Sequence, residues 1–176
     1  MGNATYVASP CKKATHPCPC GYFGDVRRGC RCGTNVVQKY RQRISGPLLD
    51  RIDLHIEVPA ASYEELSGKG SSESSEVIRL RVEAARRVQQ VRFGKSRVNC
   101  NARMSTRNLK EFCQLSEGSQ ELLRIAISEL NFSARASDRI LKVARTIADL
   151  AGRTDIDEGD ISEAIQYRTL DRNLWI

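Results

Sequence analysis

The sequence predicts an α/β fragment followed by an all-α helical bundle, and three observations carry that expectation. The first sixty residues hold two strand-like segments and one helix, too few elements to close a sheet domain. A polar, glycine-bearing stretch, "SGKGSSESS" at 67–75, separates them from the remainder of the chain. Beyond it, apolar residues recur at three- and four-residue steps, the period of a helix. The expected division is residues 1–62 as the sheet-type part, 63–75 as linker and 76–176 as the helical domain.

Taken in order, "TYVAS" at 5–9 reads as the end of a buried strand, followed by a cysteine-rich loop and a short helix around 35–43. In "DLHIEVP", residues 53–59, Leu54, Ile56 and Val58 alternate with His55 and Glu57, the period of a strand, and Pro59 closes it. These pieces read as the tail of a larger sheet domain. In the second part, Val77, Leu80, Ala84, Val88 and Val91 form an apolar stripe, with Ser74 or Ser75 able to cap the first turn. A short helix is expected over 105–113, and another over 117–130 with Leu122, Leu123, Ala126, Ile127 and Leu130 on one face. Ser133 can cap the next, whose stripe is Ile140, Leu141, Ala144, Ile147, Ala148 and Ala151 and which Gly152 ends. Asp157 begins the last, with Ile161, Ala164 and Ile165 inward.

The 176 residues are 40% hydrophobic, ordinary for a globular chain, and no apolar run approaches the roughly 20 residues of a membrane span. The N-terminus lacks the apolar stretch of a secretory signal, so the expected location is the cytoplasm and no membrane partner is expected. A formal charge of +7 favours an anionic partner such as nucleic acid or nucleotide phosphate.

Seven cysteines in a reducing compartment argue against a disulfide framework. Four of them fall in "HPCPCGYFGDVRRGCRC", residues 16–32, as two Cys-x-Cys pairs separated by nine residues. Thiolates at Cys18, Cys20, Cys30 and Cys32 could supply a tetrahedral structural Zn2+ site, the alternative being four reduced thiols. His16 and Cys11 are spare candidate ligands, whereas Cys100 and Cys113 fit buried positions in helical surroundings.

A nucleotide site needs a phosphate cradle, and neither Gly-x4-Gly-Lys-Ser/Thr nor an apolar strand ending in Asp-Glu occurs. Gly68, Lys69 and Gly70 imitate the cradle, but no strand leads into them. Two arginines carry more information. Arg51, in "SGPLLDRIDLHIEV", follows a Gly-Pro turn and could project from a rigid edge toward a neighbouring subunit, or pair with Asp50 or Asp53. Arg135, in "SARASDRILKVARTIADLAG", sits in the first turn of a well-specified helix, from which a guanidinium could reach phosphate oxygens. Arg139 and Arg145 are expected on the solvated flank of that helix.

"HPCPCGYFGD", "RISGPLLDRIDLHIEVP", "SARASDRILKVARTIADLAG" and "EAIQYRTLDR" together resemble the C-terminal half of magnesium chelatase-like AAA+ ATPases of the bacterial ComM/YifB type. The likeness runs from about residue 5 to residue 172, with the four blocks in the family's order. It implies the end of an AAA+ core followed by a helical lid, with the phosphate cradle in an N-terminal portion upstream. It further implies ATP with Mg2+ between neighbouring subunits of a homo-oligomeric ring, commonly a hexamer. In that ring Arg51 matches the arginine finger acting in trans, and Arg135 matches the sensor-2 arginine. Competence-linked members are associated with DNA branch migration, which makes DNA an expected partner. The family's sensor-1 asparagine is absent, His16 standing where it would lie, so no sensor-1 residue is assigned. A second reading, from another class, is a stand-alone zinc- and nucleic-acid-binding module without ATPase activity.

Overall fold

The computed structural model describes residues 16–25, 28–43, 73–94 and 96–173, with 45, 49, 51–56, 58, 63, 67 and 68 between them. The chain divides into two compact units between Ile52 and Asp53.

In the first unit the loop over 16–33 has no regular secondary structure among its described residues. Its first turn closes where the Gly21 N–H donates to the Cys18 carbonyl at 3.1 Å, and Gly21 there has φ +81°, a conformation that a side chain would resist. Helix α1 extends over Thr34–Arg41, as expected from the sequence. Gly33 stands at its N-cap, Val37 is its buried residue, and Lys39 and Arg41 in the last turn suit the negative end of the helix dipole. Farther on, the Ile52 N–H donates to the Leu49 carbonyl at 3.0 Å, which leaves Arg51 in an exposed turn.

The second unit is helical: α2 at Ser75–Phe93, a 3-10 turn at Asn101–Arg103, α3 at Thr106–Phe112, α4 at Glu117–Glu129, α5 at Ala134–Leu150 and α6 at Glu158–Asn173. Each start is dictated locally. Ser74, Ser116 and Ser133 accept the N–H of Val77, Ser119 and Ala136, while Ser105 and Asn108 cap α3 reciprocally. Asp157 and Asp160 exchange two side-chain-to-backbone bonds, 2.8 and 3.0 Å, at the start of α6. Helix α5 stops at a Schellman arrangement: Gly152, φ +72°, donates to Asp149 and Arg153 donates to Ala148.

Helix α5 is the centre of the bundle and packs against α6, α2, α3 and the 3-10 turn, while α4 packs against α6. Ile140, Ala144 and Ala148 are fully buried along it, facing Ile161 and Ala164 of α6. Leu123 and Ala126 close the core from α4, with Leu122, Ile127 and Leu130 packed at its margin, as the sequence periodicity indicates. Ala151 lies outside the buried stripe.

Three expectations are corrected. The described residues are mostly helical, and their one β-bridge joins Leu115 to Ile156, so the α/β character expected of residues 1–62 is not seen among them. The segment 5–9 lies outside the described residues. Over 53–59 the described positions are not a strand: Ile56 and Val58 are exposed, and the His55 N–H donates to the Tyr167 carbonyl near the end of α6 at 2.9 Å. Alternation makes a strand only beside another strand that takes its backbone groups, and here a helix end takes one instead.

The stripe on α2 is also misplaced. Val77, Leu80, Ala84, Val88 and Val91 are exposed, and α2 buries Ala85, Gln89 and Phe93. That face is one residue on, about 100° around the axis.

The third correction concerns Arg139 and Arg145. Arg145 is buried, 3% exposed, and Arg139 is half-buried and ion-paired with Asp53.

Candidate functional site

The four clustered cysteines come together as their spacing suggested. Cys18 Sγ lies 3.3 Å from Cys20 Sγ and 3.7 Å from Cys30 Sγ, with 3.6 Å between Cys20 and Cys30. All four sulfurs, Cys32 included, fall within 4.8 Å of one another, and none is disulfide-bonded. Cys18 is fully buried and the others half-buried. The turn at Gly21 brings the first pair together, and Cys32 is the second residue before α1. His16 is exposed beside Gly21 and outside the four-sulfur group. Cys11 lies outside the described residues, Cys113 is buried and Cys100 half-buried.

The electrostatics reflect crowding. Backbone N–H groups of Tyr22 and then Arg31 donate to Cys20 and pull its thiol down to about 6. At Cys30 the backbone N–H of Cys32 acts in the same direction, but burial and the bonds to the Cys20 and Cys18 sulfurs outweigh it and push the thiol up to about 12. Cys32 is also raised: the N–H of Cys20 lowers it, and its bond to the Cys20 sulfur and burial overcome that. One sulfur ionises readily and thereby opposes ionisation of its neighbours. A group of this kind can hold a soft divalent cation.

The two arginines singled out from the sequence lie in different units. Arg51 is exposed in its turn, and Asp53, one of its two possible partners, is engaged by Arg139 instead. Asp50, the other, lies outside the described residues. Arg135 is exposed in the first turn of α5, next to the N-cap at Ser133, with no ion-pair partner among the described residues.

Sequence reasoning missed a buried polar cluster inside the bundle. Arg92 makes a bidentate bond to Asp149, 2.7 and 2.5 Å, and Arg145 donates to the same carboxylate at 3.2 Å. Asn101 adds a 2.7 Å bond to Asp149, and Arg145 also donates to the carbonyls of Thr154 and Arg153 at 2.7 and 2.8 Å. These bonds tie α2, the 3-10 turn and the end of α5 together. The four-residue spacing of Arg145 and Asp149 was the available signal; their burial and the third partner, Arg92, were not local information.

Comparison with known proteins bears on both units. Residues 3–66 match the family described as magnesium chelatase, subunit ChlI, and residues 72–168 match magnesium chelatase, subunit ChlI C-terminal. Competence protein ComM of Haemophilus influenzae is 36% identical over 162 residues, covering 92% of this chain and 31% of that protein. The YifB protein of Salmonella typhimurium is 37% identical over the same shares, and Mb2921c of Mycobacterium bovis is 32% identical over 88% of this chain and 30% of its own length. The chain belongs to the magnesium chelatase-like family, ComM/YifB type. It corresponds to a C-terminal part of such a protein and spans about a third of the length of these relatives. No described helix is long and apolar enough to cross a membrane.

Proposed function

We propose that the chain is the C-terminal portion of a ring-forming AAA+ ATPase subunit, located in the cytoplasm and supplying two arginines to ATP hydrolysis. Arg51 acts in trans, its guanidinium reaching the γ-phosphate held by the neighbouring subunit and stabilising charge that develops there. Arg135 contacts phosphate oxygens of its own subunit's nucleotide and couples their loss to movement of the helical unit. The nucleotide and its Mg2+ are held by the core upstream, in a hexameric ring.

The observation that supports this reading is that both arginines are accessible to a ligand, which distinguishes them from the engaged arginines of the bundle. Arg92, Arg139 and Arg145 are engaged by carboxylates within their unit, whereas Arg51 and Arg135 stand exposed. The name of the Haemophilus influenzae relative, a competence protein, together with the charge of +7, supports DNA processing such as branch migration as the work coupled to hydrolysis.

The test is subunit mixing. Arg51→Ala subunits added to wild-type full-length subunits are expected to depress ATP turnover more than their fraction of the mixture, with nucleotide binding retained. Turnover that falls only in proportion, or not at all, removes the trans role.

A further inference from the structure

We propose that Cys18, Cys20, Cys30 and Cys32 form a closed tetrathiolate centre for one Zn2+ ion, which fixes the loop over 16–33 against the start of helix α1. Four sulfurs each about 2.3 Å from a central ion form a tetrahedron with edges of about 3.8 Å. The three sulfur separations among Cys18, Cys20 and Cys30, 3.3, 3.6 and 3.7 Å, approach that edge from below, and all four sulfurs stay within 4.8 Å of one another. A disulfide, by contrast, needs about 2.05 Å. The arrangement therefore already has the dimensions of a site whose centre an ion would fill.

Ligand chemistry selects the ion. Four thiolates exclude Mg2+ and Ca2+, which take oxygen, and favour zinc or iron. With all four positions supplied by the protein there is no open site for water or substrate, so the ion is structural rather than catalytic. On binding, each thiol still protonated releases its proton to solvent as its Zn–S bond forms, with no change of oxidation state.

The loop also needs such a pin. Among its described residues over 16–33, Cys18 is the one fully buried side chain, and no helix or strand organises the backbone. Described residues of the loop are linked to α1 at both of its ends. Cys32 runs directly into Gly33, the N-cap, and Arg41 at the far end of α1 donates to the Pro17 carbonyl at 3.3 Å with its guanidinium 4.4 Å from the Phe23 ring. An ion joining the two cysteine pairs thus closes a ring of contacts through the helix.

The experiment is metal analysis of the reduced, untagged full chain. The expected result is about one zinc per chain, falling below about 0.1 in Cys30→Ser/Cys32→Ser. Because that variant could fail for want of folding, Co2+ exchanged into the wild-type chain supplies an independent readout: the intense d–d and sulfur-to-cobalt bands of a tetrahedral tetrathiolate. Zinc below about 0.2 per chain with four freely titrating thiols overturns the proposal. So does iron in place of zinc, zinc retained by the double variant, or a six-coordinate Co2+ spectrum. None of these readouts involves ATP, so the centre and the ATPase role stand or fall separately.

Discussion

The described residues of the two units bury very different amounts of apolar surface. Among the described residues the first buries Cys18 and Val37, whereas the bundle buries a continuous cluster of fifteen residues running from Phe93 to Ile165. A cluster of that size excludes water by itself. Two isolated side chains do not, and in the loop the organising contacts are sulfur to sulfur, arginine to ring and backbone to sulfur. What holds a segment can therefore be read from what it buries: apolar packing for the bundle and, on the proposal above, an ion shared by four sulfurs for the loop.

The largest effect should come from removing that ligand. Stripping metal from the reduced chain is expected to open Arg28 and Arg31, inside the loop, to trypsin on the order of a hundredfold faster, because metal binding at such sites is itself the folding free energy. The thermal midpoint of the bundle, tracked by far-ultraviolet circular dichroism, should not move. A bundle that melts with the loop would break the comparison.

Next in size is the opposite cut. Asp149→Ala removes the shared acceptor of Arg92 and Arg145 and leaves two cations in a nearly dry interior. The expected loss is about 3–5 kcal/mol in urea unfolding of the bundle, since breaking a buried pair from one side strands the other charge. Zinc content should stay at the wild-type value. A loss under about 1 kcal/mol would mean that water reaches the cluster and screens it.

These two regions also differ in how far their sequence reveals them. In the bundle, Ser133, Asp157 and Gly152 announce where helices start and stop, and Leu123, Ala126, Ile140, Ala144 and Ala148 mark the buried faces by spacing alone. Local rules of capping and period suffice there. They failed on α2 because spacing fixes a period but not which of two neighbouring faces turns inward. That was decided at a distance, by Arg92 reaching Asp149 and by Gln89 accepting the Asn101 N–H. The same long-range contact hid the burial of Arg145. In the loop, the Cys-x-Cys spacing made the cluster legible, while the backbone donors at Tyr22 and Arg31 were not, since any residue supplies an N–H. Residues 53–59 misled for a related reason: alternation describes a strand's faces and says nothing about whether a partner strand is present.

A smaller, pH-dependent effect separates the cysteines of the two units. Burial in the bundle, against the opposing pull of Arg145 and Arg92, pushes the Cys113 thiol up from 9.0 to about 11. The folded chain thus holds this proton more tightly than the unfolded one. Its contribution to stability is fully present below about pH 9 and is lost as pH rises through about 11. Lys142, whose ammonium burial pushes down, works with the opposite sign. It is present in both proteins when wild type is compared with Cys113→Ala, so apart from its coupling to the thiol, smaller than that of Arg145 or Arg92, it cancels in the difference. The stability gap between them should narrow between pH 9 and 11. A constant gap would show that Cys113 ionises no harder than in the unfolded chain.

The smallest expected effect is the most discriminating for function. Arg135 occupies the first turn of α5, where the helix dipole disfavours a cation, and no described carboxylate compensates it. A residue kept for the fold would show the reverse: a partner, burial, or a place near the C-terminal end. Arg135→Ala should therefore change the unfolding free energy by no more than about 0.5 kcal/mol, and could raise it slightly by relieving the dipole. Arg145→Ala on the same helix should cost on the order of 3 kcal/mol, because it strands part of a buried network. If Arg135→Ala proves as costly as Arg145→Ala, its guanidinium belongs to the packing of the bundle. A substitution silent in stability that lowers ATP turnover in the ring proposed above would support phosphate as the group that Arg135 meets.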